Sequence, residues 1–97
     1  SVTGTFAEMA PKMRDEGPKL LLKVADGLNR SGDFAGAIGY YDAALRISPD
    51  YVEAKYKKAL AYKTMGDVDT ANNLFTEIIT NYPDDRFANE SKKERGY

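Results

Sequence analysis

Residues 28–49 read LNRSGDFAGAIGYYDAALRISP, and residues 62–83 read YKTMGDVDTANNLFTEIITNYP. Five residues of the first stretch have a counterpart 34 positions later: Gly32 with Gly66, Asp33 with Asp67, Ala37 with Ala71, Tyr41 with Phe75 and Pro49 with Pro83. One offset across all five pairs indicates an internal repeat, and a period of roughly 20–50 residues is typical of repeat arrays. The chain is therefore predicted to be a stack of repeated units.

The composition argues against several classes of function. The 97-residue chain has a net charge of −1, whereas a nucleic-acid-binding domain usually presents a basic surface. It has no cysteine and no histidine, which removes disulfides, the commonest general base and the commonest zinc ligand. We therefore expect no enzyme activity, no metal, no cofactor and no nucleic-acid partner.

Hydropathy argues against a membrane span. No apolar run approaches the roughly 20 residues that a transmembrane helix needs, and no secretory signal peptide is recognisable. A cytoplasmic location is therefore favoured.

Helical spacing of the apolar residues predicts two helix pairs and a final helix. The predicted helices span about 18–31 and 34–47 in the first repeat, from just after Asp50 to about 65 and 68–82 in the second, and begin at Arg86 for the last. In the first helix, Leu21, Val24, Ala25 and Leu28 share one face and are expected to point into the core.

Turn and capping residues support these boundaries. Gly32 is expected to end the first helix in the left-handed conformation, and Asp33 to cap the next one. Asp50 followed by Glu53 predicts a capping box at the start of the third helix. The Gly17–Pro18 pair predicts a break, after a short helix over about residues 10–15.

The role of residues 1–17 is left open between two interpretations. Phe6, Met9, Ala10 and Met13 fall at helical spacing and would form an apolar stripe. This segment is either a frayed lead-in or a cap over the open end of the stack, because a repeat array needs its ends covered.

The repeat resembles the tetratricopeptide repeat family. That family has a small residue in the middle of the first helix of each pair, and small residues early in the second followed by an aromatic. These positions are Ala25 and Ala59, Ala37 and Ala71, and Tyr41 and Phe75. The resemblance implies an all-α fold, an α-solenoid of antiparallel helix pairs in one domain. Its parts would be a lead-in or cap (1–17), two repeats (18–51 and 52–85) and a capping helix (86–97).

The resemblance also implies that the first helices of the pairs line a groove that binds a peptide or a helix. The candidate groove residues are Lys19, Leu22, Lys23, Asn29, Arg30, Tyr56, Lys57, Leu60 and Lys63. The hypothesis is a ligand with an apolar anchor and acidic flanks, with Tyr56 as the main contact. The competing interpretation is that Tyr56 and Leu60 pack against the next helix while the lysines are solvated.

One more specific function implied by the resemblance is tested on the residues. Family members that bind the C-terminal carboxylate of heat-shock chaperones use two lysines, two asparagines and an arginine. The corresponding residues here are Leu22, Asp26, Lys57, Phe87 and Ser91. Only Lys57 could hold a carboxylate, and Asp26 would repel it, so this clamp is predicted to be absent.

The predicted function is therefore a non-enzymatic protein–protein interaction scaffold. The carboxylate pairs Asp67 with Asp69 and Asp84 with Asp85 are assigned to turns and caps rather than to catalysis or metal binding. The alternative is a structural module that assembles into a homo-oligomer through the exposed end of the stack, because two repeats are fewer than such arrays usually contain.

Overall fold

The computed structural model describes the backbone of residues 2–95 and the side chains of residues 16–95. That part of the chain contains five α-helices and no strand: α1 (Val2–Arg30), α2 (Phe34–Ile47), α3 (Val52–Met65), α4 (Val68–Asn81) and α5 (Arg86–Arg95). Helices α1 and α2 form one pair, α3 and α4 the next, and α5 packs against α4. The predicted all-α architecture is confirmed.

The turns within the two pairs have the same geometry. Gly32 and Gly66 have φ angles of 93° and 95°, in the left-handed region that glycine adopts without steric cost. In each turn the following N–H donates to the carbonyl oxygen five residues back, that of Leu28 or Tyr62, at 2.9 Å. This closes the C-terminus of the preceding helix, so the two glycines act as the sequence predicts.

Aspartates begin the second helix of each pair. The side chain of Asp33 accepts a hydrogen bond from the backbone N–H of Gly36 at 3.0 Å. The side chain of Asp67 accepts from the backbone N–H of Thr70 at 3.2 Å and from its hydroxyl at 2.8 Å. Both aspartates satisfy backbone donors that a helix N-terminus leaves unpaired, which confirms the capping role predicted for Asp33.

The core consists of small residues between the helices and a few large side chains that fill the remaining space. One buried cluster joins α1, α2 and α3 and contains Leu22, Ala25, Ala37, Tyr41, Ala44 and Ala54. A second cluster joins α3 and α4 and contains Ala59, Ala71 and Phe75, and a third joins α3, α4 and α5 and contains Val52, Ile78 and Ala88. Alanines allow the helix axes to approach closely, while the buried aromatics occupy the volume beside them.

The predicted break at Gly17–Pro18 is wrong, because α1 is continuous from Val2 to Arg30. Inside a helix a proline removes one hydrogen bond and its ring crowds the carbonyl four residues back, at a cost of roughly 3 kcal/mol, although its fixed φ is compatible with the helix. Pro18 is also buried, and that burial contributes to keeping it inside the helix. The short helix predicted over residues 10–15 is part of α1, while the stripe of Phe6, Met9, Ala10 and Met13 lies outside the residues whose side chains are described.

The predicted inward face of α1 is partly wrong. Val24 is exposed, whereas Leu22, predicted to line the groove, is only 6% exposed and belongs to the core. Leu21, Ala25 and Leu28 do contact this core. The physical reason is that α1 packs against α2 and also approaches α3, so its buried stripe is rotated toward α3 and away from Val24.

The capping box predicted at Asp50 and Glu53 is also wrong. The residue that precedes α3 is Tyr51, and its side chain makes no capping hydrogen bond. Asp50 instead accepts a hydrogen bond from the hydroxyl of Tyr82 at 2.8 Å, and Glu53 pairs with Lys57 at 3.0 Å. A tertiary partner from the second repeat thus takes the carboxylate that the local pattern assigns to the helix end.

Candidate interaction surface

Helices α1, α3 and α5 are linked side by side, and the surface that they form together is here called the A-helix face. Nζ of Lys57 on α3 lies 2.8 Å from Oδ2 of Asp26 on α1. The ring of Tyr56 lies 5.0 Å from the ring of Phe87 on α5, measured between centroids. All nine candidate groove residues from the sequence lie on α1 or α3.

A polar network occupies the part of this face between α1 and α3. The Tyr41 hydroxyl donates to Oδ1 of Asp26 at 2.8 Å, and Lys57 donates to Oδ2 of the same carboxylate at 2.8 Å. Lys57 also pairs with Glu53 at 3.0 Å. Asn29 is half-buried close to the Tyr41 hydroxyl. The cation of Lys57 is therefore held by two carboxylates and is poorly placed to receive an acidic ligand.

The network shifts the protonation of its members. Burial raises the pKa of the Tyr41 hydroxyl far above its ordinary value, and the hydrogen bond to Asp26 and its negative charge raise it further. Burial alone would lower the pKa of Lys57, but the bonds to Asp26 and Glu53 outweigh it, so the pKa is raised. Both groups keep their protons at neutral pH, which maintains the network.

The second repeat replaces this network with apolar contacts. At the positions 34 residues after Asp26 and Tyr41 stand Leu60 and Phe75, which pack in one cluster. Tyr56 packs against Phe75 and Phe87, with ring centroids 5.9 and 5.0 Å apart. Tyr56 and Leu60 therefore pack against neighbouring helices, which is where the competing interpretation places them.

The remaining candidate cations differ in their surroundings. Lys63 donates to the Glu94 carboxylate at 2.9 Å and to its backbone oxygen at 3.1 Å, which links α3 to α5. Lys19, Lys23 and Arg30 are exposed and make no ion pair with another residue in the range 16–95. Only the first-repeat end of the candidate groove therefore keeps cations available to a ligand.

Lys19 and Lys23 border a cleft of about 410 Å³ between α1 and the start of α3. Leu22 and Tyr51 supply apolar surface to it, and Leu20 adds an exposed leucine. Its charged lining residues are Glu16, Lys19, Lys23 and Asp26. Since Asp26 is already bonded to Lys57 and Tyr41, the cleft is apolar with a positive rim on the side of the two lysines.

A second cleft of about 560 Å³ has the opposite charge. It is lined by the loop before α3 and by the loop that leads into α5, with Asp50, Glu53, Asp84 and Asp85 against Arg86. Tyr51 lines this cleft as well as the first one. The two clefts therefore meet at Tyr51, and a ligand that crossed this tyrosine would pass from a positive rim to a negative one.

Sequence reasoning did not single out Tyr51 or Leu20 as surface-site residues. Tyr51 falls between Pro49–Asp50 and the start of α3, where a loop residue carries no helical periodicity. Leu20 lies in the apolar run that begins α1, and the run alone does not reveal which leucine faces solvent. The only signal available for Tyr51 was a large aromatic at a helix start, a position that usually holds a small polar cap.

The described residues hold neither a cluster of metal ligands nor a membrane-spanning helix. Within residues 16–95, no group of three or more acidic side chains is arranged to hold a metal ion. No helix among those described is long and apolar enough to cross a membrane.

Comparison with known proteins identifies the repeat. A family model described as tetratricopeptide repeat matches residues 28–89, which is well over half of the chain. The protein belongs to the tetratricopeptide repeat family. A search of curated proteins gives no match to this chain. Tetratricopeptide repeats commonly mediate protein–protein interactions, so the tetratricopeptide fold and the A-helix face are consistent with a scaffold that binds another protein.

Proposed function

We propose that this tetratricopeptide repeat protein is a non-enzymatic scaffold that binds a short peptide segment of a partner protein. The binding site is the pair of clefts that meet at Tyr51. The preferred ligand has an apolar residue flanked by an acidic residue on one side and a basic residue on the other. This narrows the acidic flanks expected from the sequence to a single acidic flank.

The observation that carries this proposal is the arrangement of charge around Tyr51. Lys19 and Lys23 border the first cleft without ion pairs inside the described range, so their charges can act on a ligand carboxylate. Asp84 and Asp85 border the second cleft and favour a basic residue. The apolar surface of the first cleft, from Leu20 and Tyr51 with a small part from the largely buried Leu22, suits a hydrophobic anchor.

The other cations of the original groove hypothesis contribute little to this ligand. Lys57 and Lys63 are bonded to carboxylates of the same chain, and Arg30 does not line either cleft. The buried position of Ser91 and the engagement of Lys57 also support the absence of a clamp for a chaperone C-terminus. The net charge of −1 supports a protein rather than a nucleic-acid partner.

A peptide-binding experiment tests the proposal. The probes are fluorescein-labelled peptides with one leucine or phenylalanine between an aspartate-rich and a lysine-rich flank, in both chain directions, and all-acidic and uncharged versions of them. We expect the peptides with two opposite flanks to bind the wild type most tightly. The double variant Lys19→Glu, Lys23→Glu should weaken their binding at least about tenfold, because it reverses two charges at the rim.

The control reverses the same number of charges elsewhere. Lys92 and Lys93 are exposed on α5 and line neither cleft, so the double variant Lys92→Glu, Lys93→Glu should bind as the wild type does. Equal weakening in both double variants would show that only net charge matters. No binding of any probe to the wild type would overturn the proposal.

A further inference from the structure

The outer face of α1 carries two large apolar side chains that the rest of the described chain leaves uncovered. Leu20 is 61% exposed and Val24 is 46% exposed. Single exposed apolar residues are common on protein surfaces and need no explanation by themselves. This face is informative because the equivalent positions in the later repeat units can be compared with it.

The positions equivalent to Leu20 in the later repeat units are buried against a helix. An offset of 34 leads from Leu20 to Ala54 and then to Ala88, and both alanines are fully buried. Ala54 lies in the cluster that includes residues of α2, and Ala88 packs in a cluster with Ile78 of α4. In α3 and α5 the residue at this position therefore packs against the preceding helix.

The position equivalent to Val24 gives the same result. In α3 it is Lys58, whose Nζ lies 2.6 Å from the carboxylate of Asp42 on α2. The lysine that pairs with a helix in the second repeat is thus replaced by a valine in the first. A helix that docks on α1 should meet this position with an apolar contact rather than with an acid.

The exposed residues continue along α1 with the spacing of a helix-pairing seam. Gly17, Leu20, Val24 and Gly27 are separated by three, four and three residues, which is the spacing of the core positions in a two-helix coiled coil. A Cβ atom added at Gly17 or at Gly27 would meet nothing within 4 Å, so there is open space beside both ends of the seam.

The charges beside the seam indicate what docks there. Glu16 and Lys23 are exposed, lie seven residues apart on the same flank of α1, and make no ion pair with another described residue. In an antiparallel pair of α1 helices, Glu16 of each copy would lie opposite Lys23 of the other. The same register sets Leu20 opposite Gly17, so a large side chain meets a small one.

The lengths of the helices leave room for this pairing. With a rise of about 1.5 Å per residue, the 29 residues of α1 extend about 43 Å and the 14 residues of α2 about 21 Å. Helix α2 can therefore flank only about half of α1, the half that contains Leu21, Ala25 and Leu28. An antiparallel arrangement places the two α2 helices along opposite halves, where they do not overlap.

We propose that the protein forms a two-fold symmetric homodimer by antiparallel pairing of α1 along the face of Gly17, Leu20, Val24 and Gly27. Leu20 of each copy lies against Gly17 of the other, and Val24 and Gly27 lie along the part of the other α1 that precedes residue 16. The second copy takes the place that the preceding helix occupies on α3 and α5. A C2 interface repeats each contact, so the Glu16–Lys23 pair forms twice. Glu16, Leu20 and Lys23 also line the first cleft, so the dimer covers part of the proposed peptide site, whereas Val24 lines neither cleft and therefore separates the two proposals.

The first experiment compares two exposed valines by sedimentation equilibrium. Val24 on α1 and Val68 on α4 are 46% and 47% exposed, so glutamate at either position should leave the monomer folded. The wild type is expected at twice the monomer mass of 10.8 kDa, Val24→Glu as a monomer, and Val68→Glu as a dimer. Circular dichroism checks that all three proteins have equal helix content.

The second experiment tests the antiparallel register by charge exchange. Glu16→Lys and Lys23→Glu should each weaken the dimer about tenfold, because each sets like charges against one another twice. An equimolar mixture of the two variants should form a heterodimer of about wild-type affinity, since opposite charges then face each other again. Glu16 and Lys23 are two turns apart on one helix and cannot pair with each other, so the rescue can come only from contact between two chains.

The possible outcomes separate the proposals. A monomeric wild type at all concentrations, a dimer that survives Val24→Glu, or a mixture no tighter than its components would overturn the antiparallel dimer. Because Glu16, Leu20 and Lys23 belong to both surfaces, peptide binding is measured in the Val24→Glu variant, which lacks the dimer contact. Binding there supports the cleft proposal, and an affinity unchanged by adding Lys19→Glu would overturn the cleft proposal without bearing on the dimer.

Discussion

The buried hydroxyl of Tyr41 gives a sharp test of what holds α1 and α2 of the first repeat together. Tyr41→Phe removes the hydroxyl that donates to Asp26 at 2.8 Å, and Asp26→Leu removes the acceptor. The double variant reproduces the combination that the second repeat already has, since Leu60 and Phe75 occupy the equivalent positions. A double-mutant cycle over these three variants isolates the interaction energy.

The expected magnitudes follow from the geometry. A hydrogen bond to a charged group contributes about 1.5–3 kcal/mol, but the Asp26 side chain is 30% exposed and retains Lys57, so water and the lysine replace part of the loss. We therefore expect Tyr41→Phe to cost about 1–2 kcal/mol. Asp26→Leu should cost about 2–4 kcal/mol because it leaves the fully buried Tyr41 without an acceptor.

The double variant should cost about 1–2 kcal/mol less than the sum of the two single variants, because the hydroxyl without an acceptor is then absent. Urea unfolding followed by circular dichroism measures all four proteins. Tyr40→Phe is the control, since Tyr40 is exposed, makes no hydrogen bond to another described residue, and should change stability by less than about 0.5 kcal/mol. Unchanged stability of Tyr41→Phe, or costs that simply add, would refute the Tyr41–Asp26 hydrogen bond as a stabilising link between α1 and α2.

Two further predictions concern the alkaline range and the turns. Below pH 10 the raised pKa of Tyr41 contributes its full stabilisation; above the ordinary tyrosine value of 10.0 the unfolded chain loses a proton that folded Tyr41 keeps, so stability should fall as pH rises. Urea midpoints measured between pH 9 and 12 should fall less steeply in Tyr41→Phe than in the wild type, and equal slopes would contradict this assignment. Gly66→Ala should destabilise the protein by about 1–2 kcal/mol because φ is 95° there, whereas Gly39→Ala, inside α2 with nothing within 4 Å of the added Cβ, should stabilise it by about 0.5–1 kcal/mol. Thermal unfolding separates the two glycine variants, and a shift of the same sign in both would mean that backbone conformation does not decide their effects.

Local features of the chain were predictable because the responsible interactions lie within a few residues. The glycine turns and the Asp33 cap depend on backbone geometry and on a hydrogen bond three residues away, so they follow from the sequence. The five-column match at one offset determined the repeat, and the family match over residues 28–89 agrees with it.

Features that depend on distant partners were not predictable in the same way. Asp50 follows a capping pattern but bonds Tyr82, which is 32 residues away. Pro18 stands after a glycine, yet helix α1 runs through both residues. In the first case the bond to Tyr82 replaces a cap worth about 1 kcal/mol, and in the second the burial of Pro18 offsets part of the roughly 3 kcal/mol that a proline costs inside a helix.

The repeat period, the helical class and the turns can be read from the chain alone, because spacing and the backbone preferences of glycine and aspartate set them. Which side chains of the A-helix face remain available depends instead on how the helices pack. The packing buries Leu22, ties Lys57 and Lys63 to carboxylates, and leaves Lys19, Lys23 and Val24 exposed. Successive residues of a helix are rotated by about 100° around its axis. The angle at which two helices pack therefore decides which residue meets solvent, and the order of residues does not.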